Sequence, residues 1–132
     1  MRDGLTSLIP KSKTDVETAK LAVDAGFPKV EPILFELLDW VQDWNWPVTR
    51  VLYPFLSKVG LPLLPHIKRI LATNDEGWKY WMLELIRDSR DLYLALKDDV
   101  NRIAFHPTAS EKLEGLNERS KQIIKLFEVA KK

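Results

Sequence analysis

Apolar residues in this chain recur every three or four positions, and proline or glycine cuts the pattern at short intervals. That combination admits short amphipathic helices packed side by side and little else. No segment alternates with period two over a useful length, so an all-α fold is expected. Residues 1–13 read as an irregular arm. The first helix signal is Thr14-Asp15-Val16-Glu17, a capping box in which Thr14 and Glu17 satisfy each other's free amides, and Gly26 is its natural stop.

A second helix opens at Pro32, where a missing N–H costs nothing. Val30, Ile33, Leu34, Leu37, Leu38 and Val41 form its apolar face, and Trp40 and Trp44 widen that stripe. Asn45-Trp46-Pro47 breaks the pattern, because the residue before a proline is pushed out of the helical region. The third helix runs from Pro47 to Val59, stops at Gly60, and is expected to kink or split near Arg50 because Pro54 lies inside it. The fourth spans Pro62 or Pro65 to Ala72. Asn74-Asp75 caps the fifth, whose Trp78, Trp81, Met82, Leu85 and Ile86 share one face. The sixth covers Arg90 to Phe105 and ends at His106-Pro107. The seventh covers Ser110 to Ala130, with Leu113, Leu116, Ile123 and Phe127 on one face.

Two segments repeat. Residues 30–60 and 61–89 each read as an apolar helix, a polar turn and a second apolar helix. Pro32-Ile33-Leu34 corresponds to Pro62-Leu63-Leu64, and Trp46 corresponds to Trp78. Through Pro32, Asp43 and Gly60 in the first unit and Pro62 and Asp75 in the second, the chain resembles short HEAT-like repeats. That resemblance implies one domain over residues 1–132, an α-α superhelix of about seven helices. The second unit lacks the closing glycine. The chain is also similar, over residues 8–107, to a family of small bacterial proteins of unknown function. Leu8-Ile9-Pro10-Lys11, the tract from Asp39 to Val48, Trp78-Lys79-Tyr80-Trp81 and His106-Pro107 carry this likeness, which implies a fold and no activity.

Composition narrows the function classes. A chain of 132 residues, 45% hydrophobic and 30% charged, can bury a real core unaided. Cysteine is absent, which removes disulfides, thiolate ligands and thiol nucleophiles. The 20 basic and 19 acidic residues leave a net charge of +1, without the basic excess of a nucleic-acid binder. The N-terminus has no apolar run of signal-peptide type, and Val51 to His66 is too broken by Lys58, Gly60 and prolines to span a bilayer. A cytoplasmic protein with no membrane association is expected.

The unusual feature is five tryptophans, Trp40, Trp44, Trp46, Trp78 and Trp81, all in the middle third. Aromatic rings of this size ordinarily fill the interface between repeats. Trp46 and Trp78, at matching places near the starts of inner helices, would alternatively grip a peptide on the concave face, with Lys79, Tyr80, Asp43 and Arg50 around them. The charge pattern supports such a surface: residues 31–46 carry only acids and residues 47–72 only bases. Solvated helix faces explain the same pattern.

Catalytic signals are weak. Asp39 and Asp43 are one turn apart rather than across a cleft, and His66 and His106 lack metal-ligand spacing. There is no phosphate-binding loop or nucleophile elbow. The expectation is therefore a protein-interaction or scaffold module that binds a peptide or protein, with no catalytic residues, metal or cofactor. A small-molecule or metal-dependent enzyme using Asp39, Asp43, His66 or Lys79 is one alternative. A self-associating structural subunit is the other.

Overall fold

The computed structural model describes residues 2–129. Met1 of the expected arm, Ala130 at the end of the seventh helix and Lys131 beyond it lie outside the described residues. The helices are α1 (Arg2–Leu5), α2 (Val16–Ala25), α3 (Leu34–Leu38), α4 (Pro47–Leu56), α5 (Leu64–Leu71), α6 (Glu76–Arg87), α7 (Arg90–Phe105), α8 (Ala109–Leu113) and α9 (Leu116–Val129). No strand forms among the described residues. All-α is correct.

The internal repeat has a local basis. Pro32 and Pro62 each occupy the first turn of a short 3-10 segment, Glu31–Ile33 and Leu61–Leu63, that leads directly into α3 and α5. Proline suits that place because its ring presets φ and no amide partner is lost. Ile33 and Leu63, at the same step of each unit, are both fully buried.

Five sequence expectations need correction. The arm is not irregular throughout: α1 and a 3-10 turn at Thr6–Leu8 fold back so that Leu5 is buried. Asp15, not Thr14, caps α2, accepting from the Thr18 amide at 3.3 Å. A carboxylate there also answers the positive helix end. The second helix stops at Leu38, so Trp40 and Trp44 sit on a loop instead of extending the stripe. The final helix is broken into α8 and α9 at Gly115, whose φ of 77° suits glycine alone. That break turns Leu113 outward, 86% exposed, where a continuous stripe would have buried it. The bend expected at Arg50 is absent, since α4 runs over Pro54 without a non-helical residue. Within α7 the helix is interrupted at Leu96, with φ −110° and ψ 15°.

One continuous core ties these elements together. α2 packs on α4, α5 lies against α6 and α7, and α9 covers α7 and α6. Ala19 and Ala22 of α2 allow close approach. Leu52, Leu56, Ile67, Ile70, Met82, Leu83, Tyr93 and Val100 fill the middle, and Ile123 closes the α9 side. Burying a side chain of this size stabilises the fold by about 1.5–3 kcal/mol.

Candidate functional site

The loop between α3 and α4 is held by side chains as well as by backbone turns such as the Val41 amide to the Leu38 carbonyl and the Trp46 amide to the Asp43 carbonyl, both at 2.9 Å. Every buried or half-buried carbonyl needs a donor, and here side chains of the loop and of later elements supply several of them. The Trp78 indole N–H donates to the Leu38 carbonyl at 2.9 Å. Gln42 Nε2 reaches the Asp39 carbonyl at 2.7 Å, and Thr49 Oγ1 the Trp40 carbonyl at 2.6 Å. Arg50 Nε donates to the Trp44 carbonyl at 2.7 Å. Asp43 Oδ1 accepts from the Asn45 amide at 2.8 Å, an Asx turn with Trp44 at its apex.

Trp44 therefore stands out from the loop, 44% exposed, while the other four tryptophans are half-buried. Its ring stacks on Trp81 of α6, with centroids 5.5 Å apart and planes 19° from parallel. Tyr80 meets Trp81 edge-on at 5.2 Å. Tyr53 of α4 packs edge-on against both Trp44 and Trp81. The Tyr53 hydroxyl donates to Asp88, and burial together with that hydrogen bond raises its pKa.

Beside these rings lies an open groove of about 370 Å³. Trp44, Trp81 and Tyr80 form its aromatic wall, and Asp43, Glu76 and Glu114 bring carboxylates to it. No lysine or arginine lines it. Sequence reasoning had Asp43 and Tyr80 in the candidate set but missed Trp44 and Trp81. The readable signal was the Asp-Trp-Asn turn triplet, which was absorbed into a helical stripe.

Glu76 also belongs to a buried ion cluster. Lys79, only 2% exposed, pairs with Glu76 at 2.7 Å and Glu111 at 2.8 Å. Glu111 has no exposed surface and accepts from four donors: Lys79, both terminal nitrogens of Arg102, and the Thr108 amide. Those are all the acceptor sites a carboxylate has. The Arg102 hydrogen bonds, opposed by burial and helped by Lys79 and Thr108, bring its pKa down to about 2 from 4.5. Burial pushes Glu76 up, but the hydrogen bonds from Lys79 and Ser110 outweigh it and hold the group low. Thr108-Ala-Ser-Glu111 is a complete capping box, a pattern legible in the sequence and not used. A second cluster joins α6 to α9, where Arg119 grips Glu84 through Nε at 2.6 Å and Nη2 at 2.9 Å.

The six sequence candidates thus fall into four places. Asp43 and Tyr80 line the groove. Lys79 is buried in the ion cluster, paired with Glu76 and Glu111. Arg50 holds the loop that carries Trp44. Trp46 is the residue before α4 and packs edge-on against Trp40, whereas Trp78 is the third residue of α6 and lies against Phe35. Both are half-buried against the core, and no ring contact joins them among the described residues.

The residues considered for catalysis are likewise dispersed. Asp39 accepts from Gln42, His66 lies against Phe35, and Lys79 is in the ion cluster. No group of three potential metal ligands occurs among the described residues. A second cavity of about 300 Å³ holds Lys68, Lys79 and Arg102, all already paired with Asp99 or Glu111. No described helix is long and apolar enough to cross a membrane.

Fold and groove together define an all-α domain with a carboxylate-rimmed aromatic cleft. Residues 8–124 match the family described as a domain of unknown function, DUF5071, and the chain belongs to that family. The match agrees with the resemblance read over residues 8–107 to a family without a known activity. No curated protein is similar enough to the chain to match it.

Proposed function

We propose that the chain is a protein-interaction module, a short HEAT-like stack that receives an extended segment of a partner in the groove beside Trp44 and Trp81. The exposure of Trp44 on a braced loop carries this reading. A tryptophan held at the surface by defined hydrogen bonds is preorganised, so a partner meets its ring without first ordering it. Trp46 and Trp78, the first candidates for this role, support the loop from behind instead. The dispersion of Asp39, His66 and Lys79 favours binding over catalysis.

Selection from a displayed random-peptide library, with counter-selection on Trp44→Ala, tests the reading. Enriched peptides that need Trp44 are expected. An empty selection, or peptides indifferent to Trp44→Ala, would overturn it. Far-UV circular dichroism checks that the variant is folded, and the exposed position makes loss of fold unexpected.

Self-association is the second reading, favoured by Leu94, Phe105, Leu113 and Leu126, large apolar side chains exposed on α7, α8 and α9. Sedimentation velocity that stays monomeric up to high concentration would remove it.

A further inference from the structure

We infer that the side chain received by the groove is cationic, and that arginine is taken in preference to lysine. The inference rests on the docking reading above and adds the chemistry of the occupant. Three observations converge on it. The first is the sign of the lining: Asp43, Glu76 and Glu114 reach the groove and no basic residue does. Glu76 is largely balanced by Lys79 behind it, so Asp43 and Glu114 set the local potential. No described cation pairs with either. A neutral or acidic partner segment would leave those two carboxylates uncompensated as water is displaced.

The second observation is the ring geometry. Trp44 and Trp81 are nearly parallel and in contact, so nothing enters between them. What they offer is the exposed ring of Trp44 and the corner where Tyr80 stands 87° to Trp81. Aromatic faces attract cations through their quadrupole, tryptophan most strongly. A flat guanidinium both stacks on such a ring and forks to a carboxylate, whereas an ammonium is a point charge with a tightly held hydration shell. The molecule already contains that kind of contact, since the Arg69 guanidinium carbon lies 4.1 Å above the Phe35 ring centre.

The third observation is that the protein's own nearby arginine does not fill the site. Arg50 turns away to the Trp44 and Asn45 carbonyls, and it is absent from the groove lining. Its charge serves the loop, leaving the outer ring of Trp44 and the acidic rim for another molecule.

The test is a titration of the full chain followed through its indole N–H resonances in ¹H–¹⁵N NMR spectra. The probes are short Gly-Ser peptides carrying arginine, lysine, norleucine or glutamate at their centre. The arginine peptide is expected to move the Trp44 and Trp81 indoles in a saturable way. Norleucine and glutamate peptides are expected to bind about fivefold more weakly or worse, with lysine between. The Asp43→Asn, Glu114→Gln double variant is expected to lower arginine affinity by a similar factor. Asp43→Asn keeps the Oδ1 acceptor of the Asx turn, so Trp44 stays in place, and its unchanged indole shift verifies that.

Equal or stronger engagement by norleucine or glutamate at the same indoles overturns the cationic occupant and leaves the docking groove standing. Arginine binding that moves other resonances but not these two overturns it as well. If no peptide moves either indole, the inference falls, and the groove itself falls only if the library selection is also empty.

Discussion

Glu111 is a carboxylate with no exposed surface, held by Lys79, Arg102 and the Thr108 amide. Burying such a charge costs several kcal/mol, which four donors in good geometry offset. Removing the charge while leaving Lys79 in place is therefore worse than removing both. Glu111→Gln is expected to lower stability by about 3 kcal/mol in urea unfolding at neutral pH. The pH dependence follows from the same group. Its folded pKa, about 2, lies below its ordinary 4.5, so the native state binds fewer protons than the unfolded chain between those values. The stabilisation is complete above pH 4.5 and is lost as pH falls toward 2. A Glu111→Gln chain has no such contribution to lose, and its stability is expected to fall less steeply across that window. Parallel pH profiles for the two proteins would assign the acid sensitivity elsewhere.

The element that sequence reasoning placed least well is the connection from α3 to α4. Its apolar spacing is helical through Val41, yet the helix ends at Leu38. The Leu38 carbonyl takes the Val41 amide in a tightened last turn, and a second donor reaches it from far along the chain: the indole N–H of Trp78, some forty positions later. Thr49 and Arg50 satisfy the carbonyls that follow. Local periodicity cannot register donors that arrive from another helix. The prolines before α3 and α5 were readable because their effect is confined to one turn. Groove membership of Asp43 and Tyr80 was readable as a polar-aromatic neighbourhood, but the exposure of Trp44 depends on the loop and was not. Lys79 looked like a surface cation because lysine almost always is one; its burial needs Glu111, which lies across the fold on α8. Trp78→Phe tests the brace directly. It keeps the ring against Phe35 but leaves the Leu38 carbonyl without its indole donor, and a loss of about 1 kcal/mol is expected. The loosened loop is also expected to change the iodide quenching of Trp44, read in a chain whose other tryptophans are substituted by phenylalanine. Unchanged stability and quenching would show that the loop does not depend on Trp78.

At the scale of the whole molecule, the proposed repeat order and the observed core pull in opposite directions. In a solenoid each repeat touches only its neighbours, and the ends can fray independently. Here the core runs without a gap from Leu5 to Ile123, and two carboxylates on buried or half-buried bridges, Glu84 and Glu111, lock α6 to α9 and α8. A domain joined in this way is expected to unfold in one step. The tryptophans offer a convenient check, because all five lie between residues 40 and 81. The two longest helices, α7 with 16 residues and α9 with 14, contain none. Fluorescence thus follows the middle of the chain, while far-UV circular dichroism is weighted toward its C-terminal part. In urea the two transitions of the wild-type protein are expected to coincide. In the Glu84→Gln, Glu111→Gln double variant the dichroism transition is expected to come first, because α8 and α9 then lose their ion pairs with α6. They rely instead on the apolar contacts of α9 with α7, the Glu128 bonds to Tyr93 and Lys97, and the Ser110–Glu76 bond. Separate transitions in the wild type would mean that the stack is modular from the start. Coincident transitions in both proteins would mean that the two parts are held together without the Glu84 and Glu111 clusters, which then only add to stability.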